Sequence, residues 1–206
     1  MFADYTRPAC AIQFTSETKA AIVEVLNQRN IPLFDVDMNN ASETSSVNNA
    51  ASPSLSVAFH IRRGDKLIRE SRAFSPQEYV DALTAGVSVS DKALIRQCFV
   101  ATDDYRVVDE LEAALRNSSI ACPVVHTLAT KDYDTNRNGH HALQLFVDLK
   151  MLVDATFFVG SISSSIGGIV SLWRGCRPWR RCGATRANKF HHYYRSYYVD
   201  SDDWTA

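Results

Sequence analysis

A basic cluster is the part of the sequence best suited to chemistry. Residues 60–66 read HIRRGDK, with two guanidinium groups (Arg62 and Arg63) and the ammonium group of Lys66 close together. Positive side chains in one loop neutralise a phosphate or diphosphate group and the charge that develops as it departs. The alternative is a solvated surface turn in which Asp65 pairs with its neighbours. The segment is therefore a candidate anion site, with an ordinary charged turn left open.

A second candidate is a polar stripe on an otherwise apolar helical segment. His141, Gln144 and Asp148 are spaced i, i+3 and i+7, which places them on one face of a helix. Polar groups within an apolar surface need hydrogen-bond partners, and a bound ligand can supply them. We interpret Asp148 as a ligand-facing carboxylate, with an exposed helix face as the alternative.

The segments that would position these residues alternate between strands and helices. The predicted strands cover 57–61, 98–102, 121–125 and 156–160, and the predicted helices cover 76–87, 105–116, 140–153 and 165–173. Strands separated by helices indicate βαβ units and a Rossmann-like parallel sheet in an α/β fold. Ligands of such sheets bind beyond the carboxyl ends of the strands, which selects the loops at 62–70, 103–104 and 161–168.

The two ends of the chain differ from its centre. Residues 16–29 predict an amphipathic helix capped by Ser16, and residues 37–54 are rich in Asn, Ser and Ala and predict a solvated loop. From Arg177 onward the sequence is basic and aromatic and predicts an irregular tail. The expected organisation is a helix and loop over 1–54, a binding domain over 55–176 and a tail over 177–206.

Composition argues against several classes of function. The 206 residues carry a net charge of −1, so the surface as a whole gives no electrostatic reason to bind nucleic acid or an anionic membrane. No apolar run approaches the about 18 residues of a membrane span. The five cysteines show no metal-ligand spacing. Cys98 and Cys122 are expected to pack as small hydrophobic side chains, while Cys176 and Cys182 could close a short disulfide loop.

Three short motifs each allow two readings. The triplets at 40–42 (NAS) and 117–119 (NSS) are glycosylation sequons, which function only in a secretory compartment and also arise by chance. Asp103-Asp104 could hold a divalent ion, but we prefer a structural or donor-loop role for the pair. His191-His192 lies among tyrosines without ligand spacing, so we expect an ordinary packed tail there.

Four ordered segments resemble motifs of the α1,6-fucosyltransferase family. They are HIRRGDK at 60–66, similar to the family's H-x-R-R-x-D-K loop; FVATDD at 99–104, similar to its strand ending in ATDD; LFVDL at 145–149, similar to its L-D-x-x-x-L helix; and FFVGSISS at 157–164, similar to its F-L-V-x-T-x-S-S turn. Gly64 and Ser165 depart from the family pattern, and the spacing from Lys66 to Phe74 is one residue longer.

The resemblance implies a fold and an activity. The fold would be the nucleotide-sugar-binding half of a GT-B glycosyltransferase. The activity would be inverting transfer of L-fucose from GDP-fucose to the 6-hydroxyl of the core GlcNAc of an N-glycan, on a glycoprotein acceptor. The family needs no metal or other cofactor and works in the Golgi lumen.

The resemblance also implies roles for individual residues. His60, through its main chain, and Asp148, through its carboxylate, would hold the guanine. Arg62 would contact the β-phosphate, and Arg63 would support the same loop. The serine turn, Ser163 and Ser164, would face the phosphates, with Ser164 donating at a helix N-terminus. The implied catalytic residues are Glu70 as general base, Lys66 beside it tuning its charge, and Arg62 at the β-phosphate.

Two alternatives accompany this interpretation. A GT-B enzyme holds its donor between two α/β halves, and the first 54 residues are too few to supply the other half. The chain could therefore be a GDP-binding module without catalysis, from a truncated or degenerate gene. A related chito-oligosaccharide or protein O-fucosyltransferase, which uses a similar arginine loop, is the other alternative.

Overall fold

The computed structural model describes residues 15–32, 54–63, 74–128, 140–161, 163–174 and 195–199. These residues form six helices and five strands: α1 (Ser16–Gln28), β1 (Leu55–Ile61), α2 (Pro76–Gly86), α3 (Val89–Lys92), β2 (Ile95–Thr102), α4 (Arg106–Arg116), β3 (Val124–His126), α5 (His140–Asp154), β4 (Phe157–Gly160), α6 (Ser165–Trp173) and β5 (Arg195–Tyr198). The predicted alternation of strands and helices is confirmed.

The strands make one sheet in the order β3-β2-β1-β4-β5, with every ladder parallel. This confirms the predicted α/β class with a parallel sheet. The strand order runs outward in both directions from β1 and β4, so the topological switch point lies between these two strands. Ligand sites of open parallel sheets lie at such a point, beyond the carboxyl ends of the strands.

Both faces of the sheet are covered, which explains why β1 is a nearly continuous buried run. On one face, Val57, Phe59 and Ile61 pack with α2 and α4. On the other face, Ala58 packs with α1, α5 and α6. The period of two along the strand therefore divides its side chains between two hydrophobic layers.

Several helix boundaries are set by local capping. The Thr15 side chain accepts a hydrogen bond from the Thr18 amide, so Thr15 and not the predicted Ser16 caps α1. Ser75 and Glu78 form a capping box at α2, with Pro76 at the first helical position. No helix within the described ranges is long and apolar enough to span a membrane.

The expectation of an irregular tail is wrong for Arg195–Tyr198, which forms the edge strand β5. The Tyr197 ring lies 6.3 Å from the Phe157 ring, and its hydroxyl donates to the Gly86 carbonyl at 3.0 Å. A Cβ atom on Gly86 would lie 1.9 Å from the Tyr197 ring, so the glycine makes room for the tyrosine. His191 and His192 lie outside the described residues.

The cysteine prediction also needs correction. Cys98 and Cys122 pack in the core as expected, but they form a disulfide with a Cα–Cα distance of 5.7 Å. The bond is possible because the Cys98 amide donates to the Pro123 carbonyl, which brings the two segments together. Cys176 and Cys182 lie outside the described residues.

Candidate functional site

Three loops meet at the carboxyl end of the sheet, the end at which all five parallel strands finish. They are Arg62 and Arg63 after β1, Asp103 and Asp104 after β2, and 161–164 after β4. The first two are adjacent because the β1–β2 ladder continues to Ile61 and Thr102, the last residues of both strands.

The sheet opens at the switch point. Whereas β1 pairs with β2 along its full length, its ladder with β4 ends at Phe59 opposite Val159. His60 follows Phe59, is 5% exposed, and belongs to the part of β1 that has left β4. Its main chain therefore runs along the opening where the family resemblance implies the base.

Asp103 binds the loop that contains Arg62 and Arg63, called the arginine loop here. Its Oδ1 accepts the Arg63 backbone N–H at 2.8 Å, and its Oδ2 lies 3.5 Å from Arg62 Nε. One carboxylate thus fixes the backbone of the loop at Arg63 and contacts the Nε atom of Arg62. This contact gives Asp103 a role without a metal ion.

The second arginine is bound by a helix. Arg63 donates from Nη1 and Nη2 to the two carboxylate oxygens of Glu110 on α4, at 2.8 and 2.5 Å. These hydrogen bonds lower the pKa of Glu110 and raise the pKa of Arg63. The fork of Arg63 is therefore occupied within the protein, while the Arg62 side chain is the more exposed of the two, at 39% against 20%.

Asp104 completes this acidic end of β2. Its carboxylate accepts from the Arg106 backbone N–H at 3.0 Å and from the Arg106 guanidinium at 2.8 Å. The side-chain hydrogen bond from Arg106 lowers the pKa of Asp104. Within the described ranges no group of three His, Cys, Asp or Glu residues is placed to hold a metal ion.

The serine turn after β4 lies on the other side of the switch point. The hydroxyls of Ser161 and Ser163 are 2.5 Å apart, and the Ser164 amide donates to the Ser161 carbonyl at 3.2 Å. Ser164 is 4% exposed, and its Oγ has no hydrogen-bond partner among the described residues. A buried hydroxyl without a partner is costly, so a ligand that accepts from it would be stabilising.

Ser164 also stands at the N-terminus of α6. The Gly168 amide donates to the Ser164 carbonyl at 2.9 Å, which is the first hydrogen bond of this helix. The preceding amides of the first turn have no intrahelical acceptor and form a common anion site. A Cβ atom on Gly167 would lie 2.1 Å from the Ser161 carbonyl oxygen, so glycine allows α6 to begin directly on the turn.

Asp148 has a buried carboxylate on α5. Thr127, which follows β3, donates to Asp148 Oδ1 at 2.5 Å, and Gln144 donates to Thr127 Oγ1 at 3.2 Å. Burial raises the pKa of Asp148 to about 7, while the Thr127 hydrogen bond and the positive charge of Arg29 act in the opposite direction. Gln144 and Asp148 of the predicted stripe thus form a hydrogen-bonded cluster with Thr127 and not an exposed helix face. The side chain of His141 lies outside the described residues.

A groove of about 520 Å³ lies beside this cluster, between the end of α1 and β3. Its lining includes Arg29 and Leu128, the neighbour of Thr127. The groove lies at the β3 edge, away from the switch point, so this groove and the cluster of anion-binding groups do not coincide. We place the chemistry at the anion-binding groups, because a groove lacks charge-specific contacts by itself.

The structure therefore brings Arg62, Arg63, Ser163 and Ser164 to one end of the sheet and places His60 at its opening. Lys66 and Glu70 lie outside the described residues. Sequence reasoning missed two contributors, Glu110 and Thr127, because their contacts cross from one element to another. A weak signal for Glu110 was its position one turn inside α4, on the helix that follows the acidic pair.

The chain is similar to solved structures over part of their length. No family model and no curated protein matches the chain. Three solved structures are similar in part: POFUT1 in complex with GDP-fucose, at 15% identity and a TM-score of 0.46; POFUT1 in complex with GDP, at 15% and 0.44; and apo POFUT1, at 16% and 0.43. They cover 80%, 80% and 81% of this chain and 44%, 45% and 46% of their own. The chain thus spans less than half the length of the structures to which it is similar.

Proposed function

We propose that this chain binds GDP-fucose and forms the donor-binding part of an inverting fucosyltransferase. The observation that carries the proposal is the pairing of two anion-binding features across the switch point. An arginine loop anchored by Asp103 and Glu110 stands on one side. Ser164, whose buried hydroxyl has no partner among the described residues, stands at a helix N-terminus on the other. A diphosphate is the ligand that can satisfy both sides.

The phosphates would be held by complementary donors. Arg62, the more exposed of the two arginines, would place its guanidinium against the phosphate oxygens, and Arg63 binds Glu110. Ser164 Oγ and the amides in the first turn of α6 would donate to the second phosphate. Charge on the departing diphosphate would therefore be stabilised by groups that are already in place.

The base would be selected by a carboxylate. Ionised Asp148 can accept from both N1–H and the 2-amino group of guanine, whereas N1 of adenine is itself an acceptor and cannot donate. Thr127 donates to Oδ1 of this carboxylate, and Gln144 donates to Thr127. Guanine would thus bind the buried carboxylate of Asp148. The main chain of His60 would bind the same base.

The two remaining predicted residues, Lys66 and Glu70, would act in the transfer step. The acceptor hydroxyl attacks C1 of fucose opposite the diphosphate, the C1–O bond to the β-phosphate breaks, and GDP leaves with the electron pair. Glu70 would take the hydroxyl proton, with Lys66 beside it. The acceptor we propose is the 6-hydroxyl of the core GlcNAc of an N-glycan, in the Golgi lumen. The Cys98–Cys122 disulfide supports an oxidising compartment of this kind.

Calorimetric titration with GDP and ADP tests the binding claim. We expect GDP to bind and ADP to bind much more weakly, with the difference reduced in Asp148→Asn. Equal affinity for both nucleotides in the unmodified chain would remove the guanine assignment. Transfer from GDP-fucose is measured separately in the whole protein, where Glu70→Gln should keep GDP affinity but lower turnover by at least about a hundredfold.

A further inference from the structure

A surface turn at the end of the sheet away from the proposed nucleotide site combines two features typical of secretory-pathway proteins, a sequon and a nearby disulfide. Asn117, Ser118 and Ser119 form the turn between α4 and β3, and they spell an Asn-x-Ser sequon. Asn117 caps the C-terminus of α4, and its amide donates to the Ala113 carbonyl at 3.3 Å. The turn is exposed, as a modified asparagine must be.

The three residues divide their roles in a way that suits modification. Asn117 and Ser119 are exposed, and neither side chain is hydrogen-bonded within the described ranges. Ser118 holds the turn instead, because its hydroxyl donates to the Leu115 carbonyl at 2.8 Å and accepts from the Ile120 amide at 3.1 Å. The two side chains that an oligosaccharide-transferring enzyme reads are therefore the two that the fold does not use.

The second feature is the disulfide. Cys122 follows Ser119 by three residues and is bonded to Cys98 in β2. Disulfides persist in oxidising compartments and are rare in the cytosol. Those compartments include the lumen in which sequons receive glycans. The disulfide is independent of the sequon and points to the same environment.

Placement in the fold leaves room for a large group. The helix α4 begins beside Asp104 at the carboxyl end of the sheet and runs back for 11 residues, about 16 Å, to the amino end. Asn117 is therefore separated from Arg62 and Ser164 by the height of the sheet. A glycan at this position would extend into solvent without covering the proposed nucleotide site.

We infer that Asn117 is an N-glycosylation site of this protein. The co-substrate is a lipid diphosphate-linked oligosaccharide, transferred by the oligosaccharide-transferring enzyme of the cell that makes the protein. The side-chain amide nitrogen of Asn117 forms a bond to C1 of the first sugar and gives up one proton. The C1–O bond to the lipid diphosphate breaks, and the diphosphate leaves with the electron pair. No change of oxidation state is involved.

One pair of tryptic peptides reports both the glycan at Asn117 and the Cys98–Cys122 disulfide. Cleavage after Arg96, Arg106, Arg116 and Lys131 releases 97–106, which contains Cys98, and 117–131, which contains Asn117 and Cys122. The full chain is directed into the secretory pathway of cultured eukaryotic cells, purified without reduction, and mapped by mass spectrometry before and after peptide N-glycosidase. We expect the linked pair to carry a glycan and to contain Asp at position 117 after enzymatic removal.

Matched variants assign the modification. Asn117→Gln and Ser119→Ala should each remove one enzyme-sensitive mobility shift, whereas Ser119→Thr should keep it because the hydroxyl is retained. Asn40→Gln serves as the control for the other sequon and should leave the peptide 117–131 glycosylated. These readouts do not depend on nucleotide binding, so their outcome is separate from that of the proposed function.

Two results would overturn the inference. One is recovery of the linked peptides with unmodified Asn117 from the secreted chain. The other is recovery of Cys98 and Cys122 as free thiols, since the compartment would then be wrong. If removal of the glycan weakened binding of a nucleotide that the glycosylated chain binds, the placement of Asn117 away from the site would be contradicted.

Discussion

At the scale of single residues, two arginines adjacent in sequence have different surroundings. Arg63 is tied to Glu110 by two hydrogen bonds and to Asp103 through its backbone, whereas Arg62 keeps a larger exposed surface. Asp103 contacts both arginines, through the Arg63 backbone N–H and Arg62 Nε, and Glu110 binds the Arg63 guanidinium in addition. Their substitutions should consequently have different effects.

Replacing Arg62 by Ala should weaken GDP binding by about 1.5–3 kcal/mol, the usual worth of a charge-assisted hydrogen bond. Arg62→Lys should restore part of the loss, because an ammonium keeps the charge but not the fork. Calorimetry with GDP measures both, and an unfolding curve checks that the fold is intact. Unchanged GDP affinity in Arg62→Ala would place this residue outside the site.

Replacing Glu110 by Gln should weaken GDP binding indirectly, by about 0.5–1.5 kcal/mol, because Arg63 loses a charged partner and the loop loses an anchor. The matched control is Glu112→Gln on the same helix, where the acid pairs with exposed Arg116. A double-mutant cycle with Arg63→Ala separates the effects, since Glu110→Gln should matter little once Arg63 is gone. Equal losses from the Glu110 and Glu112 variants would contradict the anchoring role.

Asp148 makes GDP affinity depend on pH. Because its pKa lies at about 7 in the free protein, the carboxylate that accepts from guanine is mostly protonated below neutrality. GDP affinity should rise from pH 6 to pH 8 and become nearly flat in Asp148→Asn. Titrations at a fixed salt concentration measure this. An identical pH profile in the Asn variant would show that another group is responsible.

The same raised pKa affects stability in the opposite direction. The unfolded carboxyl ionises near its ordinary value of 3.8, whereas the folded one keeps its proton until about pH 7. The native state therefore binds more protons between these values, and its free energy of unfolding falls across this window as pH rises. The buried acid costs the free protein stability near neutrality, as expected for a group kept for a ligand.

The site residues could be predicted from the sequence to different degrees. Arg62 directly follows β1 and Ser164 lies in the turn after β4, so the rule of parallel sheets places them at the same end of the sheet. Thr127 and Glu110 could not be assigned in this way, because their partners are distant in sequence. Thr127 lies just after β3, and its hydrogen bond to Asp148 depends on the position of α5.

At the scale of elements, the ends of α5 and α6 are joined by one buried side chain. Arg174 is 7% exposed and donates to the carbonyls of Leu152, Val153, Ala155 and Thr156. The last carbonyls of a helix lack intrahelical donors, and this guanidinium supplies them for α5. It thereby sets the position of α5, which carries Asp148, relative to α6, which begins at Ser165.

Replacing Arg174 by Met should lower the free energy of unfolding by about 3 kcal/mol or more, because several buried carbonyls lose their donor at once. Arg116→Met, at an exposed position paired with Glu112, is the matched control and should change it by less than about 0.5 kcal/mol. Urea unfolding measures both. A loss at Arg174 no larger than at Arg116 would show that solvent replaces these hydrogen bonds.

Elements inside the sheet were easier to predict than the one at its margin. The buried runs of β1, β2 and β4 and the periodic helices are strong local signals. The edge strand β5 has no apolar run, and its place is fixed by Tyr197 and Tyr198, which pack on Phe157 and Phe158 from opposite faces. Such a strand depends on distant partners and cannot be recognised from its own composition.

At the scale of the whole molecule, the sheet separates two kinds of chemistry. The carboxyl end carries the arginine loop, the serine turn and the opening between β1 and β4. The amino end carries the disulfide and the exposed Asn117 turn. Because α4 connects the two ends, Glu110 belongs to the first and Asn117 to the second.

The central claim is that a nucleoside diphosphate binds at the switch point, and titration of the ¹⁵N-labelled chain with GDP, followed by backbone amide NMR, tests it most directly. We predict saturable shifts of the amides of Arg63, Ser164 and Gly167, while those of Asn117 and Ser119 at the other end of the sheet stay unchanged. Saturable shifts confined to the groove beside Arg29, or no saturable shift at these three amides, would contradict it.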